Sequence, residues 1–296
     1  MFFEFSPAVF WPYFAGVAIV LLGLFATREE VSQAHGLDKL VAFGRVCFAA
    51  PLAVFGAEHM TSAKAIMQMV PEYMPARLFW AYFVGVALIA AALSIALNIQ
   101  MRWSGTLLGI MFILFVLMMD IPGVAGNPRD RFAWTLTVRE LAFASGAWAL
   151  AGTQTEEFRS RGRSWMIAIA RFVIAIAAIF YAVEHFLHPA ALPGVPLEKL
   201  TPVWIPGRLL AGYLTGAALA AAGACLLFGT KMRRAATYLG TWILLVVLFI
   251  YLPMVIAIPS TAEAGVKIDG LNDFFDTLFF AGAVLALANS LPKARQ

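Results

Sequence analysis

The chain is a succession of long apolar runs broken by short polar links. Nine runs of roughly 18–24 residues stand out, the length that spans a bilayer as helix. They cover approximately 8–26, 40–60, 77–99, 104–123, 132–152, 165–187, 208–229, 235–258 and 272–290. Runs this long, without the period-2 alternation of strands, predict an all-α membrane protein of nine transmembrane helices.

Part of this pattern is written twice. Arg45…Glu58-His59 closes the second run, and Arg171…Glu184-His185 closes the sixth at the same internal spacing. Pro75-Ala76-Arg77-Leu78…Tyr82…Gly85 then matches Pro206-Gly207-Arg208-Leu209…Tyr213…Gly216. Val70–Val124 aligns with Thr201–Val255 without a gap and with about twenty identities, more than shared hydrophobicity produces. Ala144-Ser145-Gly146-Ala147 matches Phe280-Ala281-Gly282-Ala283, which registers Glu140 with Asp276. The expected organisation is an N-terminal helix and linker (1–36), a first four-helix repeat (37–155) and a second (156–296). An even number of helices per repeat gives both the same orientation, so the expected architecture is two parallel four-helix bundles about a pseudo-two-fold along the membrane normal.

Composition agrees. The chain is 62% hydrophobic and 13% charged, about half the charge of a soluble domain. The net charge of +4 resides mostly in short loops, a topology signal rather than one for nucleic acid. Loops on the C-terminal side carry Arg28, Lys39, Arg102, Arg159, Arg161, Arg163, Lys231, Arg233, Arg234, Lys293 and Arg295; the other side carries Lys64, Arg77, Arg129, Arg131, Lys199, Arg208 and Lys267. Eleven against seven predicts a multi-pass inner-membrane protein with its N-terminus outside and C-terminus cytoplasmic. Glu4 precedes the first run with no basic residue, unlike a cleaved signal peptide. Cys47 and Cys225 lie in different repeats with no C-x-x-C, which speaks against a dithiol centre. The Pro-, Gly- and Trp-bearing loops 61–76, 124–131, 188–207 and 259–271 fall outside and are expected to pack on the bundle as a lid.

Charges within the runs are the candidate chemistry, because each costs about 3 kcal/mol at the bilayer centre and needs a partner, water or a proton. Helix direction gathers Glu58, His59, Arg77, Tyr82, Asp120, Arg139 and Glu140 toward the outer leaflet in repeat one. Repeat two gathers Glu184, His185, His188, Arg208, Tyr213, Tyr251 and Asp276. The copies differ: Tyr251 replaces Asp120, Phe275 replaces Arg139, and His188 lies one turn beyond Glu184 and on its face if the helix persists. Two readings of Glu-His stand: a helix-end cap paired with Arg77 or Arg208, and a ligand or proton site. Adjacent Glu and His point to different faces and no Glu-x-x-His occurs, so no metal site is expected. Arg45 and Arg171 sit near the cytoplasmic ends and are expected to snorkel or meet lipid phosphate. No flavin, haem or iron–sulfur motif is visible, so no cofactor is expected; electron transfer would use a partner's.

Arg45…Phe55-Gly56-Ala57-Glu58-His59, Arg171…Tyr181-Ala182-Val183-Glu184-His185-Phe186, and His188-Pro189…Gly194-Val195-Pro196-Leu197-Glu198-Lys199-Leu200-Thr201-Pro202-Val203-Trp204-Ile205-Pro206-Gly207 resemble the DoxX-like family of four-helix membrane proteins. The likeness covers roughly 40–290 as two tandem copies. It implies association with a membrane redox complex, since the family's name comes from a membrane subunit linked to thiosulfate:quinone oxidoreduction; it assigns no catalytic residue here. The expected function is binding of a small apolar or amphipathic molecule, a quinone or lipid, near the outer leaflet, within a membrane redox system. Glu58/His59 and Glu184/His185 would line or gate the pocket. Arg77 and Arg208 would pair with them or hold an anion, and Tyr82 and Tyr213 would donate hydrogen bonds. Proton-coupled transport of a small solute and a structural or assembly role among membrane-complex subunits are the alternatives.

Overall fold

The computed structural model describes residues 6–162, 164–195 and 199–292. Glu4, Arg163, the Pro196-Leu197-Glu198 part of the loop motif, Lys293 and Arg295 lie outside the described residues. The fold is all-α, built on nine long helices among the described residues: α1 Pro7–Gln33, α2 Asp38–Thr61, α3 Arg77–Leu97, α4 Met101–Gly126, α5 Arg131–Gly152, α6 Trp165–Leu187, α7 Arg208–Phe228, α8 Met232–Ile256 and α9 Ala264–Ser290. Eight of them are long and apolar enough to cross a membrane. The one that falls short of the nine expected is α5, which carries Arg139 and Glu140 mid-helix and packs against α4, α6 and α9. A helix sheltered by neighbours does not need a lipid-compatible surface all round.

The helix boundaries have local causes. Asp130 caps α5 by accepting from the Phe132 amide at 2.9 Å. α3 ends at Asn98 (φ +57°) and α7 at Gly229 (φ +75°), left-handed residues that let Ile99 N–H reach Ser94 O and Thr230 N–H reach Cys225 O. Asn98 and Gly229 occupy the same place in the alignment that pairs Arg77 with Arg208. So do Ala76 (φ +53°) with Gly207 (φ +68°), and Gln100 (φ +52°) with Lys231 (φ +45°). α4 and α8 each contain one π-helical turn, Val116–Asp120 and Val247–Tyr251, again at aligned positions. Each turn stands just before a proline, Pro122 or Pro253, whose missing N–H disturbs the regular ladder.

Helix pairing crosses between the halves. α2 packs on α3 and α6 on α7, but α2 also runs along α9, α6 runs along α5, and α5 meets α9. The halves are therefore interleaved, not two bundles set side by side. Small residues permit the crossing. A Cβ on Gly282 would fall 2.7 Å from the Cys47 carbonyl carbon, and one on Gly44 2.5 Å from the Leu285 Cβ. Backbones this close gain dispersion contacts that lipid tails do not supply. Phe279 stands at the centre, stacked on Phe143 at 4.0 Å and edge-on to Phe48 at 4.5 Å. α1 flanks this core, giving it Ile19, and docks on α2, where Gly16 meets Val54 and Gly23 meets Val46.

Candidate functional site

The two Glu-His pairs are built alike. Successive helix residues diverge by about 100°, so each Glu and its His address different neighbours. Both histidines turn toward the next helix of their own half: His59 Cβ stands 2.7 Å from where a Cβ on Gly85 would be, and His185 Cβ stands 3.1 Å from that of Gly216. Both place Nδ1 on the carbonyl four residues back, Phe55 at 2.7 Å and Tyr181 at 2.6 Å. Both glutamates reach the last helix of the opposite half. Glu184 accepts from Arg131 of α5 at 2.6 and 2.8 Å. Glu58 accepts from the side-chain amide of Asn272 of α9 at 2.7 and 3.1 Å.

This corrects the expected partners. Arg77 donates to the Gln68 carbonyl at 3.0 Å and Arg208 to the Thr201 carbonyl at 3.3 Å, so neither arginine meets a Glu-His pair. Tyr82 and Tyr213 lie on exposed faces of α3 and α7, without hydrogen bonds among the described residues. His188 is not on the Glu184 face, because α6 ends at Leu187 and His188 leaves the helix at φ −132°, ψ 62°. Arg45 pairs with Glu30 of α1 at 2.8 Å. Arg171 rests its guanidinium 4.2 Å from the Phe172 ring centre and donates to Met232 Sδ.

His185 is fully buried and both its ring nitrogens are used. Nε2 accepts from the Gly194 amide at 2.9 Å, which fixes the proton on Nδ1. The histidine thereby pins the α6–α7 loop. That loop turns back on itself, with Leu192 N–H on Lys199 O and Thr201 N–H on Ala190 O. It inserts Leu192 and Ile205 against Val246, Ile250 and Tyr251. Lys199 seals it to Asp273 at 2.8 Å. The described part of 188–207 is thus packed into the second half. The first-half counterpart is five residues shorter, counting nineteen positions from Glu58 to Arg77 against twenty-four from Glu184 to Arg208. His59 Nε2 has no hydrogen-bond partner among the described residues.

The remaining charged candidates converge where α5 crosses α9. Arg139 donates through Nη1 to Asp276 at 2.5 Å and lies 3.4 Å from Glu140. Asp120, on the π-turn of α4, is within electrostatic reach of both Arg139 and Glu140; Glu58 is within reach of Asp276. Three carboxylates, Asp120, Glu140 and Asp276, therefore lie about the Arg139 guanidinium, and Glu58 stands beyond Asp276. One oxygen of Asp120, one of Glu140 and Nε of Arg139 are buried without hydrogen-bond partners among the described residues. Tyr251, the counterpart of Asp120, is 1% exposed and faces Thr277. Asn272, Asp273 and Arg131 were missed in the sequence. The signal for Asn272 and Asp273 was their spacing, four and three residues before Asp276 and so on its face of α9; Arg131, half a turn away from the Glu140 face of α5, gave no such signal.

Beside this cluster, α4 and α5 part on the side away from the core. They leave an apolar groove of about 580 Å³ lined by Val116, Leu117, Ile121, Trp134, Thr137 and Leu141, among others. Asp120 is carried between Leu117 and Ile121 on the same helix. Among the described residues no group of three or more His, Cys, Asp or Glu is disposed to hold a metal ion.

A family model described as a domain of unknown function (DUF8561) matches residues 48–151, from mid-α2 to the end of α5. Searches of curated proteins and of solved structures gave no match.

Proposed function

We propose that this is a multi-pass membrane protein with nine spans arranged as two DoxX-like repeats, and that it binds a small amphipathic molecule, a quinone or lipid, in the groove between α4 and α5. It would serve there as a component of a membrane redox system, with the groove toward the outer leaflet and the C-terminus in the cytoplasm. The observation that carries this reading is the groove itself. Its apolar wall suits a hydrocarbon body, and its helix α4 also carries Asp120, whose carboxylate has an unmet hydrogen-bonding oxygen. The recurrence of positive-φ caps, π-turns and Glu-His contacts at aligned positions supports the duplicated architecture.

Native mass spectrometry of gently solubilised protein tests it. The wild type should retain a quinone or lipid, and Thr137→Trp, which fills the groove from α5, should release it. A wild type that carries no such molecule, or a Thr137→Trp variant that keeps it, argues against the groove. Co-purifying subunits with no bound molecule would favour an assembly role.

Proton-coupled solute transport is the second reading, favoured by the excess of buried acids around Arg139. It expects pH-dependent flux in proteoliposomes that Glu140→Gln abolishes. Flux that survives this change would count against it.

A further inference from the structure

A second cavity, of about 260 Å³, lies at the opposite end of the bundle, the end at which α9 finishes. Its polar wall is made by Glu30 of α1, Arg45 of α2, Asn98 after α3, Thr153 and Gln154 after α5, and Asn289 of α9. It shares no residue with the groove or with the Arg139 cluster.

The ion pair in its wall is not closed on itself. Arg45 gives Nη1 to both Glu30 oxygens, at 2.8 and 3.0 Å, while Nη2 finds only the Ala26 carbonyl at 3.5 Å. Nε of Arg45 is buried with no hydrogen-bond partner among the described residues, and the side chain is 10% exposed. Buried donors of a charged group without an acceptor are costly, and an anionic oxygen in the cavity would satisfy them. Glu30 is the opposite case. Its side chain is 49% exposed, so its carboxylate keeps acceptor capacity toward the cavity mouth. The carbonyl-rich ends of α1, α3, α5 and α9 gather at this same level and favour a cation there.

α1 makes this arrangement particular to the first half. Arg171, the aligned partner of Arg45, meets a thioether and a phenyl ring, and no carboxylate among the described residues. α1 stands outside the duplication and supplies the acidic side of the chamber.

We propose that the chamber binds a zwitterionic phosphate–amine group, with a phosphate oxygen on Arg45 and the ammonium beside Glu30. The headgroup of phosphatidylethanolamine in the adjoining leaflet and free phosphoethanolamine both carry this chemistry. A purely anionic headgroup satisfies Arg45 and is repelled by Glu30.

The full-length protein in nanodiscs of mixed phosphatidylethanolamine and phosphatidylglycerol provides the test, with retained lipid read by native mass spectrometry. Retention of phosphatidylethanolamine over phosphatidylglycerol by about tenfold or more is expected. The ratio should fall to that of the bulk lipid in Arg45→Gln and in Glu30→Gln. If instead soluble phosphoethanolamine binds in titration, with the same dependence on Arg45 and Glu30 and without lipid preference, the ligand is the free molecule. If Arg45→Gln does not fold, Gln154→Trp, which blocks the chamber from its rim, replaces it. Preference for phosphatidylglycerol, preference that survives these substitutions, or wild-type protein that binds neither probe overturns the proposal.

Discussion

Arg139 of α5 donates to Asp276 of α9, and each comes from a different half of the chain. Asp276 aligns with Glu140, the residue next to Arg139, so the bond joins nearly equivalent positions across the centre of the molecule. It ties the two helices on which both halves converge. Removing one member of such a pair leaves a buried charge without its counterpart, at a cost of about 3–5 kcal/mol. Arg139→Leu should lower thermal stability in detergent by that order. Arg139→Leu combined with Asp276→Leu should be less damaging than Arg139→Leu alone. Strictly additive losses would show that the two do not act as a pair.

The ion pair at the end of α6 is expected to matter less. Arg131 is 41% exposed at its side chain, and solvent-screened pairs contribute about 1 kcal/mol or less. Glu184→Gln should therefore change unfolding only slightly. Glu58→Gln should be neutral or stabilising, because an amide still accepts from Asn272 and removes one charge from the acid-rich centre. A large loss in either variant would contradict these assignments.

His185 and His59 separate by what their second nitrogen holds. His185→Ala removes the acceptor from a buried Gly194 amide and leaves a cavity, and should cost about 2–3 kcal/mol. Hydrogen exchange should quicken at Gly194 and Leu192 in that variant. His59→Ala should leave those two amides unchanged. Equal exchange in the two variants would mean that His185 does not pin the loop.

Close approach of α2 and α9 makes Gly282 sensitive to a single methyl. A Cβ there meets the backbone of Cys47 and Phe48, which do not yield as a flexible side chain does. Gly282→Ala should destabilise by about 1–3 kcal/mol. Gly123→Ala, where nothing lies within 4 Å, should be neutral or mildly stabilising and serves as the control. Similar melting of the two variants would rule out close packing as the reason for Gly282.

Much of the local structure was legible in the residues. The nine apolar runs foretold nine helices to within a few residues at most ends, although α9 begins at Ala264, eight positions before its run. The extra turns carry Lys267 and Asp269, whose polarity hid them from a hydropathy reading. Of the charged and polar residues in or beside the runs, Asp120, Arg139, Glu140 and Asp276 meet in space with Glu58 next to Asp276, whereas Tyr82, Tyr213 and His188 lie apart. The polar residues were conspicuous because they interrupt apolar helices, but interruption alone does not tell an inward face from an outward one.

The sequence by itself determined the helices and their turns. These depend on hydrogen bonds and hydropathy within a few residues of one another, and the π-turns of α4 and α8 recur with their prolines. Only the tertiary structure decided the partners. Arg77 and Arg208 were the near neighbours along the chain, yet Glu58 found Asn272 and Glu184 found Arg131, each on the last helix of the other half. The reason is geometric. A step of one residue turns a helix face by about 100°, and the small residues at Gly44, Gly146 and Gly282 set which helices come close enough for those faces to meet.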